Sequence, residues 1–149
     1  MTLHSLRGHS LYVAPIRVAL GLVWVVAARI AGASSTSVWL AAATAVFAMV
    51  FLYFNDPRAR FLPRRGEVQP FPEDGVIASP AQQAFRALFP STIGVSVLAA
   101  IAVVPRPVLA AFLGGISAGL GVAGVVGALR TAPDLYYDPR RGTLYRREA

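Results

Sequence analysis

Four stretches without a single charged side chain dominate the sequence: residues 18–28, 38–54, 92–104 and 107–129. A soluble domain buries its apolar surface in shorter, interrupted runs. Stretches approaching 20 residues match a hydrocarbon core of about 30 Å at 1.5 Å per helical residue. The 149-residue chain is 56% apolar and 14% charged, against roughly 45–50% and about 25% for soluble domains. That balance excludes a soluble globular enzyme and a disordered chain. With no cysteine, it also excludes a disulfide scaffold. The expectation is an all-α integral membrane protein forming a single membrane domain over residues 1–149.

Four transmembrane helices are predicted, arranged as two hairpins: about 11–33, 37–54, 91–104 and 107–129. The first carries Pro15, Arg17 and Arg29. Ala31-Gly32-Ala33 would suit a cleaved signal peptide, but Arg29 just before it disfavours processing. The reading adopted is a retained helix whose two arginines, about 18 Å apart along the axis, each snorkel to an interface. In the second, Trp39 and Tyr53 mark the two ends as an aromatic belt does, and Asn55-Asp56-Pro57 stops the helix. The third is short and bounded by Pro90 and Pro105. Before it, Ser79-Pro80 is a cap with a first-turn proline. Ala81, Ala84, Phe85, Leu88 and Phe89 then share one apolar face, with Gln82, Gln83 and Arg86 on the other. Residues 80–89 therefore read as a short interfacial helix, or as the start of one kinked helix running to residue 104.

The fourth span carries a small residue at every fourth position: Ala111, Gly115, Gly119, Ala123 and Gly127, broadened by Gly114, Ala118, Gly121 and Gly124. Such a stripe lets a second helix backbone approach closely. It reads as a helix-packing interface, either inside the chain or towards a partner.

All 14 basic residues are arginine, and seven acids leave a net charge of +7. Placing the N-terminus, the loop 55–90 and the tail 130–149 together puts twelve arginines on one side, leaving Arg29 and Arg106 on the other. By the positive-inside rule both termini and the loop are cytoplasmic, as in a bacterial inner membrane. Arg17, Arg58, Arg60, Arg64, Arg65, Arg140 and Arg141 are the expected contacts to anionic phospholipid headgroups or to a partner subunit; nucleic acid is not expected. Leu135-Tyr136-Tyr137 and Thr143-Leu144-Tyr145 flank a turn ending in Gly142. The tail thus reads either as a small β-hairpin, with Gly75-Val76-Ile77-Ala78 as a strand to lean on, or as a disordered stretch. The segment Leu52–Glu67 is echoed by Leu135–Glu148, aromatics followed by Asp-Pro-Arg and a second basic cluster, which suits two separate stop-transfer signals better than a repeat.

No acid lies inside a span, so there is no intramembrane carboxylate for an ion path. No HExxH, GxSxG, Walker or dinucleotide motif occurs. His4 and His9 are five apart, poor spacing for one helical face, and neither a metal nor a cofactor is expected. The stretch Tyr53-Phe54-Asn55-Asp56-Pro57-Arg58, Pro63 and Gly75-Val76-Ile77-Ala78-Ser79-Pro80-Ala81 resembles the N-terminal membrane-anchor region of phosphatidylserine decarboxylase. Gln82-Gln83 stands where that family has Asp-Gly, and the cleavage motif and catalytic domain are missing. The resemblance implies a membrane anchor without the activity.

The functional expectation is a non-enzymatic accessory or scaffold subunit of a larger membrane complex, of the architecture found in respiratory or photosynthetic assemblies. It would dock through the glycine stripe and the arginine-rich segments. The alternatives are a small homo-oligomeric transporter or channel, with only Thr44, Ser96 and Ser117 to line a path, and an inactive relative of a phospholipid-synthesis enzyme.

Overall fold

The structure, a computed structural model, describes residues 2–55, 68–138, 140 and 143–147. The elements in chain order are β1 (Thr2–Ser5), α1 (Leu6–Ile30), α2 (Ser35–Asn55), β2 (Val68–Pro70), β3 (Val76–Ile77), α3 (Pro80–Leu88), α4 (Ser91–Ala102), α5 (Pro107–Arg130), β4 (Leu135–Asp138) and β5 (Thr143–Arg146). Among the described residues three helices, α1, α2 and α5, are long and apolar enough to cross a membrane. α3 and α4, bent by 51° at the break, are long and apolar enough only if taken together.

The first helix starts five residues before the predicted span. Ser5 supplies the reason: it is the N-cap, and its hydroxyl accepts from the Gly8 N–H at 3.0 Å, satisfying one of the orphan donors of the first turn. The other end closes with Gly32 at φ 95°, a conformation that only glycine adopts at no steric cost. Gly32 donates to Arg29 O and Ala33 to Ala28 O, the paired bonds of a Schellman turn. That turn delivers Ala33 into a cluster with Val25, Ala28, Val38, Ala42 and Ala111, and the Arg29 guanidinium donates to the Ala33 carbonyl.

The two predicted hairpins are not the packing units. α1 and α2 touch little, because α5 lies between them and is the centre of the bundle, packed on α1, α2 and α4. The small residues explain this order. A Cβ on Gly115 would lie 2.5 Å from Ala42 O and 2.8 Å from Ala45 Cβ, and one on Gly119 would lie 2.8 Å from Met49 Cβ. Gly127 leaves room for the Tyr53 hydroxyl. The every-fourth-residue stripe is thus the α2 face. Its neighbours Gly114 and Gly121 meet α1 at the same range: a Cβ on Gly114 would be 2.7 Å from Gly21 O, and one on Gly121 would be 2.8 Å from Ala14 O. Ala110 completes a third face with Ala99 and Ala102 of α4. Hydrogen-sized side chains on α5 therefore face two neighbours, and the stripe is covered within the chain.

The all-α expectation needs correction. Beyond the helices stands a five-stranded mixed sheet of order β2-β5-β4-β1-β3. The tail does form the hairpin: β4 and β5 pair antiparallel, Tyr136 opposite Tyr145. Val76 and Ile77 do form a strand, but it pairs with β1 in parallel, Thr2 beside Val76, rather than with the hairpin. β1 joins the two by pairing antiparallel with β4, and β2 adds in parallel to β5. The N-terminus, the central loop and the tail therefore meet at one end of the bundle, while the 31–34 and 103–106 turns close the other. The marginal stability of a lone hairpin is relieved by strands from the other two segments. Leu3, fully buried, is the apolar anchor of this junction, and Leu3→Ala is expected to lower stability by about 2–5 kcal/mol, read as a drop in the melting temperature in micelles.

Candidate functional site

The short helix α3 is set against the sheet by a chain of local bonds. Ser79 caps it reciprocally with Gln82, its hydroxyl 3.3 Å from the Gln82 N and its own N–H 3.4 Å from Gln82 Oε1, a capping box. Ala78 N donates to Leu3 O at 2.8 Å, and Gln83 Nε2 donates to Ala78 O at 2.7 Å. Gln83, expected on a solvated face, is therefore buried. Two aromatics of the apolar face are left outside: Phe85 and Phe89 are stacked with ring centres 6.3 Å apart and are 66% and 57% exposed. The helix is amphipathic as predicted, but of its polar face only Gln83 is buried while Gln82 and Arg86 stay exposed, and on its apolar face Ala84 and Leu88 are half-buried.

At the break between α3 and α4 stands Arg17 of α1. Its Nε donates to Thr92 Oγ1 and its terminal nitrogen to the Ala87 carbonyl, both at 2.9 Å. Ala87 lies in the last turn of α3, where carbonyls lack intrahelical partners and a cation is favoured. Arg17, expected to reach for a headgroup, uses its Nε–H and one terminal N–H inside the chain, latching the elbow to α1. Arg130 likewise stacks on Phe54 at 4.8 Å, joining the sheet-side ends of α5 and α2.

Between α3 and the strands lies a chamber of about 1050 Å³. Its walls come from all three non-spanning segments: Thr2 and His4 from β1, Gln69 from β2, Asp74 from the turn after it, Phe85 and Arg86 from α3, and Asp138, Arg140 and Tyr145 from the hairpin. His4 is 8% exposed, and its Nε2 has no hydrogen-bond partner among the described residues. An unpaired buried polar atom costs about 1–3 kcal/mol, so an imidazole held this way marks the chamber. Asp138 is 3% exposed, and its Oδ1 accepts from the Arg140 N–H at 2.9 Å, which orients the carboxylate and carries Arg140 to the rim. Arg146 pairs with Asp134 at 3.0 Å on the outer side of the hairpin, and Phe71 packs edge-on against Tyr136 at 5.3 Å.

Burial pushes the His4 imidazole below its ordinary value; the Arg86 guanidinium adds to this and Asp138 opposes it. A histidine depressed in the fold takes its proton more readily when unfolded. Stability should therefore be full above about pH 6.5, the unfolded value, and fall as pH drops from there towards the folded value. Melting in micelles between pH 8 and pH 5 should show this loss in the wild type and less of it in His4→Gln; equal slopes would remove His4 as its source.

Of the residues expected to contact headgroups or a partner, Arg140 lines the chamber and Arg17 is an internal latch. Arg58, Arg60, Arg64, Arg65 and Arg141 lie outside the described residues. Ala111, Gly115, Gly119, Ala123 and Gly127 lie on the α2 side of α5. Sequence reasoning missed His4, Arg86, Asp138 and Tyr145 as a group. The signal for His4 was Ser5: a capping serine moves the helix start to Leu6 and leaves Thr2–Ser5 to be a strand. Among the described residues no group of three His, Cys, Asp or Glu side chains could hold a metal. Comparison of the chain with protein-family models, curated proteins and solved structures finds no match, so the functional reading rests on the chamber.

Proposed function

We propose that this chain is a non-enzymatic integral membrane protein, an accessory subunit that holds a small ligand at the membrane boundary rather than transforming it. The observation that carries the reading is the chamber with the buried, unpaired His4 facing it. Its volume is at the upper end of small-molecule sites. Among its described lining residues the hydroxyls are Thr2 and Tyr145, and among the described residues no carboxylate is hydrogen-bonded to His4 to orient it as the base of an activated nucleophile.

The apolar helices and the outward-turned Phe85 and Phe89 support membrane embedding with the sheet end at the interface. The arginine bias supports a cytoplasmic sheet end, both termini included, as in a bacterial inner membrane. A transport reading would need a polar path through the bundle. The axis is instead filled by α5, whose glycines and alanines meet α1, α2 and α4, and Thr44 is turned outward. Because the small-residue stripe is covered, docking to a larger complex would fall to the sheet end and its arginines.

Native mass spectrometry of the chain extracted in mild detergent tests this. The wild type should retain a bound small molecule or lipid. The pair Arg86→Gln and Arg140→Gln should retain at least about tenfold less, since one charge-assisted hydrogen bond is worth 1.5–3 kcal/mol and 1.4 kcal/mol is a factor of ten. Equal retention by the two proteins would contradict a ligand in the chamber.

A further inference from the structure

We infer that the chamber takes the headgroup of a zwitterionic phospholipid, its phosphodiester on Arg86 and Arg140 and its ammonium on the Asp138 carboxylate, with His4 Nε2 as a further phosphate donor. The inference rests on the ligand-holding role proposed above and specifies its ligand.

Charge is the first argument. On the walls the Arg86 and Arg140 guanidiniums stand with the Asp138 carboxylate, and the buried imidazole is neutral near pH 7. A purely anionic headgroup would bring its phosphate to the guanidiniums but leave the Asp138 carboxylate facing more negative charge. A headgroup carrying one phosphate and one ammonium matches both signs at once. The guanidinium fork suits phosphate oxygens, and a primary ammonium has three donors to give a carboxylate.

The second argument is the unpaired atom. His4 Nε2 is buried and without a partner among the described residues. In the tautomer carrying its hydrogen there, it donates to a phosphodiester oxygen without taking up a proton. The third argument separates a lipid from a soluble phosphate ester. Phe85 lines the chamber and also begins the exposed apolar stripe with Phe89. The mouth is thus continuous with a surface suited to the acyl boundary of a bilayer, where a headgroup can enter while its chains stay in the membrane.

The test is binding by the full chain in detergent, read by native mass spectrometry, with four probes: phosphatidylethanolamine, phosphatidylglycerol, free phosphoethanolamine and inorganic phosphate. Phosphatidylethanolamine should bind at least about tenfold tighter than phosphatidylglycerol and than either soluble probe. Arg86→Gln, an exposed site whose variant should melt like the wild type, should weaken it about tenfold, and His4→Gln should also weaken it. Arg106→Gln at the far end of the bundle should leave it unchanged. Phosphatidylglycerol binding as tightly or tighter would overturn the zwitterion assignment. Phosphoethanolamine binding as tightly as the lipid would overturn the membrane source. Loss of affinity in Arg106→Gln equal to that in Arg86→Gln would show binding outside the chamber. If none of the four probes binds but the extracted wild type still carries an Arg86-dependent ligand, this inference fails and the ligand-holding role stands; if it carries none, both fail.

Discussion

Gly115→Ile should unfold the bundle rather than release a partner. A Cβ at this position already meets the Ala42 carbonyl oxygen at 2.5 Å and Ala42 Cα at 2.9 Å. Both are backbone atoms of α2, which no rotamer change can move aside. Overpacking of a tight core costs about 1–3 kcal/mol for added methylenes, and the branched side chain puts Gly115→Ile at or beyond the top of that range. The readouts are the melting temperature in micelles and the fraction of monodisperse protein. Gly94→Ala is the matched control: nothing lies within 4 Å of its Cβ position, so it should be neutral or stabilising by up to about 1 kcal/mol through helix propensity. A Gly115→Ile protein that melts like the wild type would mean that α2 does not pack on α5 at this point.

Arg17→Met should cost about 3–6 kcal/mol. It removes two hydrogen bonds from a charged donor, to Thr92 Oγ1 and Ala87 O, while the apolar stem is kept. Each such bond is worth about 1.5–3 kcal/mol. Arg17→Lys should recover only part of the loss, because a single ammonium on a flexible stem does not reproduce the fixed fork that spans both acceptors. Thr92→Val removes one acceptor alone and should cost less. A double-mutant cycle between Arg17→Met and Thr92→Val should then give a coupling energy of about 1 kcal/mol or more. Additive losses would place the guanidinium elsewhere than at the elbow.

The two variants mark what was legible in the sequence and what was not. The helices were legible because their runs lack charge, and the break at Pro90 because proline interrupts the hydrogen-bond ladder. The tail hairpin was legible from aromatic, β-branched and turn residues around Gly142. The partner of the glycine stripe was not, since small residues permit close approach by any helix and name none. Helix order in the bundle depends on which backbones fit together, so Gly21 beside Gly114 decides it across a large sequence separation. Arg17 was read as a snorkelling residue because its acceptors, a hydroxyl and a carbonyl of α3 and α4, carry no charge to advertise them. The chamber was hidden for a related reason. His4 and Asp138 lie in short strands and Arg86 in a short helix, far apart in the sequence, and two- to four-residue strands leave little periodicity to read.

The junction of those three segments is the central claim, because the chamber exists only if the N-terminus, the central loop and the tail share one sheet. Disulfide formation in native membranes measures it directly, on a chain that has no cysteine of its own. Thr2 and Val76 are register partners of β1 and β3, and Pro70 and Arg146 of β2 and β5. Neighbouring strands lie about 4.7–4.9 Å apart, within disulfide reach. Thr2→Cys with Val76→Cys, and Pro70→Cys with Arg146→Cys, should each crosslink under mild oxidation, whereas Thr2→Cys with Ser35→Cys, at opposite ends of the bundle, should not. Absence of both predicted crosslinks, with all four cysteines reactive to a thiol reagent, would contradict the shared sheet and remove the chamber with it.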